Sequence, residues 1–127
     1  MEGAQVLIFD EDRHIRQVLA RLLEISGHQV VAEASIEPEE VREILEQLDL
    51  VDADVAVIDP NPHNTEANRI NSALVVQMVH QKFGGQVKIF SFGSSEQLEE
   101  ADAQIQKPGY KFILSSLADL PDERKAI

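Results

Sequence analysis

Acidic side chains follow two separate apolar runs of the chain. Asp10, Glu11 and Asp12 come directly after the first run, and Asp59 comes directly after the second. If both runs are strands of one sheet, the carboxylates meet at one edge and need a cation. Oxygen ligands suit Mg²⁺, which commonly binds one or two carboxylates and bridges to phosphate. The alternative is that Asp10 or Asp12 caps a helix and that Asp59 opens a turn before Pro60.

The first half of the chain predicts alternating strands and helices. Val6–Phe9 and Val55–Ile58 are continuous apolar runs, as expected for strands buried on both faces of a parallel sheet. Between them, helical spacing, glycine and proline predict a helix, a strand and a second helix over 15–25, 29–34 and 38–48.

The second half continues the alternation after a loop over 60–68. We predict a helix over 71–83, a strand over 87–92, a polar helix over 96–106 and a fifth strand over 112–114. Pro121 interrupts the segment 117–127, so the last helix is short or displaced. The predicted fold is α/β: a doubly wound, parallel five-stranded sheet of flavodoxin-like, three-layer α/β/α architecture.

Composition restricts the class of protein. The 127 residues fit one domain, 1–127, and 23 acidic against 11 basic side chains give a net charge of −12. Such a surface repels nucleic-acid phosphates and anionic membranes, so we expect neither direct nucleic-acid binding nor membrane binding. The absence of cysteine excludes disulfides and thiolate chemistry. With no secretion or membrane signal in the sequence, we expect a cytoplasmic protein.

Two segments resemble bacterial response-regulator receiver domains of two-component signalling. They are the opening strand with its acids over 6–16, and Val55–Ile58 with the following Asp59. The resemblance implies that Asp59 is the phosphoacceptor. It also implies that Mg²⁺ is held by Asp10, Glu11 and Asp59, with the backbone carbonyl of Asn61.

This chain differs from that family at the residues expected to contact the phosphoryl group. Where the family has Thr or Ser after the fourth strand, this chain has Gly93, with Ser94 one position later. Lys107-Pro108 looks like the family's Lys-Pro pair, but it follows Gly93 by only 14 positions. A helix, a strand and two connections need about twenty. We therefore predict that Ser115, after the strand over 112–114, replaces the lysine, and that Lys107 could substitute only by reaching over.

Three functions remain open. The first is a phosphoacceptor receiver that switches a protein-interaction surface, with a sensor histidine kinase or another signalling protein as partner. Its enzymatic activity would be self-phosphorylation and slow hydrolysis at most. The second is a pseudo-receiver, an interaction module without phosphate chemistry. The third is a haloacid-dehalogenase-like phosphatase, because Asp10 and Asp12 match its Asp-x-Asp opening.

The C-terminal segment suggests an interaction surface. Leu117, Leu120 and Ile127 are its obvious apolar anchors, and Pro121 lies between them. A segment so short is poor at covering a sheet. We therefore predict an exposed face, including Leu117 and Leu120, that binds a partner or a second copy in a homodimer.

Overall fold

A five-stranded, fully parallel sheet forms the centre of the protein in the computed structural model, which describes residues 1–48 and 52–122. The strand order is β2-β1-β3-β4-β5, and the strands span Gln5–Phe9 (β1), Gln29–Ala34 (β2), Val55–Ile58 (β3), Lys88–Gly93 (β4) and Ala103–Gln106 (β5). The inner strands β1 and β3 are almost wholly apolar, as strands covered on both faces must be. The predicted fold class is confirmed.

In the described residues, four helices cover the two faces of the sheet: Arg13–Ile25 (α1), Pro38–Glu46 (α2), Glu66–Phe83 (α3) and Tyr110–Asp119 (α4). The α1 and α4 helices place Leu19, Leu23, Ile113 and Leu117 on one face. On the other face, α2 and α3 pack Val41, Leu45, Val75 and Val79 against the sheet. Two separate apolar layers therefore hold the strand ends rigidly.

Part of the predicted loop over 60–68 is helical. A tight turn with non-helical backbone at His63 spans Pro62–Asn64, and α3 begins at Glu66, five residues earlier than predicted. The early start has a local cause, because Thr65 Oγ1 caps α3 by accepting a hydrogen bond from Asn68 N at 3.1 Å.

The predicted helix over 96–106 is wrong. Residues 94–102 form an irregular connection, and β5 follows at Ala103. Parallel strands are usually joined through a dozen or more residues that include a helix. Here the short connection is held by its side chains: Gln97 Oε1 accepts a hydrogen bond from Ser91 Oγ (2.6 Å), and Asp102 Oδ2 accepts one from Ile89 N (2.8 Å).

The predicted strand over 112–114 is also wrong, because it lies within α4. Ile113 and Leu117 are fully buried against the sheet, at the spacing of one helical turn. The last helix of the described residues is therefore short, as predicted, but it begins earlier than expected and covers the sheet. The interpretation of Leu117 as an exposed anchor is wrong, and Leu120 is half-buried beside the same core. Residues 123–127, including Ile127, lie outside the described part of the chain.

None of the helices in residues 1–48 and 52–122 has the length and apolar character that crossing a membrane requires.

Candidate functional site

Asp10 and Asp59 meet at the carboxyl ends of two adjacent strands. Phe9 of β1 is in register with Ile58 of β3, and Asp59 N donates a hydrogen bond to Phe9 O at 2.9 Å. Asp10 N in turn donates to Ala34 O, at the end of β2, at 2.9 Å. The parallel ladder thus fixes both acids at one sheet edge, where ligands bind in open α/β sheets.

A lysine lies between the two carboxylates. Lys107 Nζ is 2.8 Å from Asp10 Oδ2 and 3.0 Å from Asp59 Oδ2. The side chains of Lys107, Asp10 and Asp59 are only 11%, 4% and 8% exposed. Lys107 directly follows β5. The short β4–β5 connection therefore brings it to the two carboxylates, although its spacing from Gly93 argues against this position.

Burial acts in opposite directions on the pKa values of Asp10 and Lys107. Burial raises the pKa of Asp10, and the hydrogen bond and charge of Lys107 offset this only in part. Burial acts to lower the pKa of Lys107, but Asp10 and Asp59 together outweigh it and the pKa rises above its ordinary value. Lys107 therefore remains an ammonium at neutral pH.

The remaining carboxylate oxygens are held by the backbone. Asp10 Oδ1 accepts a hydrogen bond from Asp12 N at 2.9 Å, and Asp59 Oδ1 accepts one from Asn61 N at 3.1 Å. Sequence reasoning missed Ser72, which is fully buried and whose Oγ donates to the carbonyl oxygen of Asp59 at 2.7 Å. The only feature of the sequence that could have pointed to this residue is a hydroxyl side chain at a core-facing position of the predicted helix.

A cavity of about 550 Å³ opens beside Asp59 and Lys107. Its wall includes Ser94 as well as Glu11 and His63, whose Oε2 and Nε2 atoms are 3.3 Å apart. The sequence placed His63 in the loop without a role. The cavity is large enough for a phosphoryl group and its surrounding water.

Asn61 also lines this cavity and is 8% exposed. Its Oδ1 accepts a hydrogen bond from Thr65 N at 2.9 Å, whereas Nδ2 has no well-formed hydrogen bond to any described residue. The pKa of Glu96 is lowered by Arg69 first and then by the amide of Asn61. Glu96 is therefore the acceptor that Nδ2 approaches, although the contact is not a well-formed hydrogen bond.

The loop that carries Asn61 contains two residues in the left-handed region. His63 has φ 61° and Asn64 has φ 55°, a conformation that costs energy for residues other than glycine. Asn64 N donates to Asn61 O at 3.2 Å, so the carbonyl assigned to the metal already closes this turn.

The oxygen donors suit Mg²⁺ chemically, but their arrangement places Lys107 between two of them. Within residues 1–48 and 52–122, no three carboxylate or imidazole side chains converge closely enough to hold a metal ion. Glu11 contacts His63 instead of joining Asp10 and Asp59. A bound ion would therefore need the Lys107 ammonium to move.

Two predicted phosphate contacts lie elsewhere. Ser115 lies in α4, where its Oγ donates to Phe112 O at 3.2 Å, because the segment is helical and not a strand end. Its prediction as the residue that follows the fifth strand is wrong, because Lys107 follows β5. Gly93 ends β4, but a Cβ there would lie 2.2 Å from Glu96 O and 2.5 Å from Pro60 Cγ. Position 93 has no room for Thr or Ser.

The structure matches solved receiver domains. A CheY-like response regulator receiver domain protein from Methanospirillum hungatei JF-1 is 21% identical, with TM-score 0.66 over 91% of this chain and 90% of that one. A chain from the complex of the P1 domain of CheA3 with CheY6 from R. sphaeroides is 17% identical, with TM-score 0.61 over 93% and 97%.

RcsB from Salmonella enterica serovar Typhimurium, bound to promoter P1flhDC in the presence of phosphomimetic BeF3⁻, is 18% identical with TM-score 0.65. The match covers 92% of this chain and 59% of RcsB. No protein-family model matches the sequence, and no curated protein matches it. The chain therefore has the fold of CheY-like receiver domains.

Proposed function

We propose that the chain is a receiver-type signalling domain in which Asp59 accepts a phosphoryl group from a protein histidine phosphate or a small phosphodonor. The observation that carries this proposal is the position of Lys107 Nζ, 2.8 and 3.0 Å from the two strand-end carboxylates beside an open cavity. A lysine there can leave one of the carboxylates and pair with a phosphoryl oxygen.

The chemistry needs little from the protein beyond positioning and charge. One carboxylate oxygen of Asp59 attacks phosphorus, a new O–P bond forms, and the bond to the donor breaks with its electron pair on the leaving group, which takes a proton from solvent. Lys107 pairs with a phosphoryl oxygen as negative charge moves towards Asp59.

Mg²⁺ belongs to this proposal once Lys107 moves from between Asp10 and Asp59 and Glu11 leaves His63, because these three carboxylates and the carbonyl of Asn61 could then hold the ion. Bound there, the ion would neutralise phosphoryl charge and orient the donor. The other partner we propose is a sensor histidine kinase or a comparable signalling protein.

Labelling with acetyl phosphate in the presence of Mg²⁺, followed by mass mapping, tests the proposal. We expect one added phosphoryl group, on Asp59, that is absent in Asp59→Asn and retained in Asp119→Asn, an exposed control. Failure of the wild type to take up phosphate, while it remains folded, would contradict the proposal.

A pseudo-receiver is the second candidate, and Gly93 is the observation that favours it. The hydroxyl that the family places after the fourth strand has no room at this position. If the wild type stays unlabelled by acetyl phosphate and unchanged by beryllofluoride, the interaction module is the better description.

The phosphatase alternative lacks its general acid. Asp12 caps α1, with its Oδ1 accepting hydrogen bonds from His14 N at 2.9 Å and Ile15 N at 3.3 Å. One oxygen of its carboxylate is therefore used by the helix. Mass mapping also tests this alternative, which requires the label on Asp10.

A further inference from the structure

The missing helix between β4 and β5 leaves a groove along α3. One wall is α3 and the other is the segment 96–101. Two cavities of about 470 and 370 Å³ form the groove and share Val76, Gln77 and Glu100. It runs from Arg69 to Gln81, which corresponds to about 18 Å along the helix axis.

The α3 helix is apolar on more than the face that the core covers. Val75 and Val79 are fully buried against the sheet, whereas Ile70 and Leu74 are 52% and 40% exposed. Ala73, between them in sequence, is exposed and lines the groove. A helix patterned in this way is typical of one that is covered on two sides.

The floor and rim of the groove differ in character. Its floor includes Val76, Ile89 and Leu98. Three glutamates lie on the rim, at positions 96, 99 and 100. The one arginine there, Arg69, is paired with Glu66 and with Glu96, the latter at 3.0 Å.

These features select the kind of occupant. All four described helices already pack on the sheet, so this part of the chain has no spare helix to offer. A second copy would bring the same net charge of −12 to the groove and oppose its glutamates. A helix with an apolar stripe and basic flanks satisfies both the floor and the rim.

We propose that the α3 groove binds a basic amphipathic helix of three to four turns from another protein, at the place where the fourth crossover helix would lie. The partner's leucine-like side chains contact Val76 and Leu98 in the groove and the exposed Ile70 and Leu74 beside it on α3. Its lysines or arginines lie against Glu99 and Glu100. This inference is independent of phosphoryl transfer at Asp59, so either proposal can fail alone.

The probe is a fluorescein-labelled synthetic 16-residue helix with leucines along one stripe and lysines elsewhere. Fluorescence anisotropy should show saturable binding with a Kd below about 100 µM. The same peptide with glutamate in place of lysine, and a scrambled lysine peptide, should bind at least about tenfold more weakly.

Matched variants locate the site. Ile70→Ser with Leu74→Ser should weaken binding about tenfold, whereas Ile25→Ser with Phe112→Ser, which alters two other exposed apolar side chains, should leave it unchanged. Glu99→Gln with Glu100→Gln should weaken it about threefold, and Glu43→Gln with Glu46→Gln on α2 should change it less. Circular dichroism checks that every variant is folded.

The proposal is overturned if no saturable binding occurs, if the glutamate peptide binds equally well, or if the control variants lose binding as much as the groove variants. Sedimentation tests the remaining possibility, that the groove binds a second copy of this chain. A dimer of the wild type that dissociates in the Ile70→Ser, Leu74→Ser variant would show that the groove joins two copies, and would also overturn it.

Discussion

Replacing Lys107 by Met removes the ammonium from between two buried carboxylates while keeping most of the side-chain volume. Nζ is 5.8 Å from the ring centroid of Phe92, so an unbranched apolar chain retains contact with that ring. The variant therefore isolates the charge. We expect it to be folded but clearly less stable.

The magnitude follows from burial. Removing one partner of a buried ion pair costs about 3–5 kcal/mol, because the other charge is left uncompensated. The cavity beside Asp59 admits water on one side, so we take roughly 3 kcal/mol at pH 8. This is a large fraction of the stability of a domain, typically about 5–15 kcal/mol.

The loss should depend on pH in a defined direction. The pKa of Asp10 already lies above its ordinary value of 3.8 through burial, and removing Lys107 raises it further. A folded-state pKa above the unfolded one stabilises at low pH, and that contribution disappears as pH rises through the folded pKa. Proton uptake by Asp10 should therefore reduce the deficit by up to about 1.4 kcal/mol per pH unit below that pKa.

Urea unfolding followed by circular dichroism at pH 5 and pH 8 measures the effect. With a slope of roughly 1.5 kcal/mol/M, a loss of about 3 kcal/mol lowers the midpoint by about 2 M. Lys111→Met is the control, because Lys111 is exposed and lies 5.1 Å from the Phe112 ring centroid. It should cost less than about 1 kcal/mol.

Equal losses in the two lysine variants, or a loss that is the same at pH 5 and pH 8, would refute the reasoning. A second variant distinguishes charge from packing. Adding Asp10→Asn to Lys107→Met removes one of the two uncompensated carboxylates and should recover about half of the lost stability at pH 8. Further destabilisation would show that the deficit arises from packing.

Three further predictions concern neighbouring groups. Gly93→Ala should cost about 1–3 kcal/mol in urea unfolding, because its Cβ would meet the Glu96 carbonyl, whereas Gly85→Ala, with nothing within 4 Å, should not. Ser72→Ala should cost about 1–2 kcal/mol by the same measurement and slow phosphoryl labelling, because it leaves the Asp59 carbonyl without its donor. By titration calorimetry, Asp59→Asn should weaken Mg²⁺ binding and Lys107→Met should strengthen it. Stronger binding to Asp59→Asn than to wild type would contradict the metal site.

The sequence by itself determined the fold class and the meeting of the acids. Val6–Phe9 and Val55–Ile58 are apolar at every position, as is common for parallel strands that are covered on both faces. Asp10 and Asp59 directly follow these strands, so the sheet alone brings them to one edge. The sequence shows these patterns directly because burial on both faces of the sheet favours apolar side chains.

Tertiary contacts decided which cationic side chain lies between the carboxylates and which secondary structure the segments 103–106 and 112–114 form. The segment 103–106 has a single buried apolar side chain, Ile105, so its strand character comes from pairing with β4 and not from its own sequence. Once it pairs, the short connection brings Lys107 to Asp10 and Asp59. The neighbouring segment 112–114 has the apolar residues of a strand but packs as a helix, because the sheet needs cover there. The positions of the lysine and of the open groove along α3 are therefore set by contacts between elements distant in sequence.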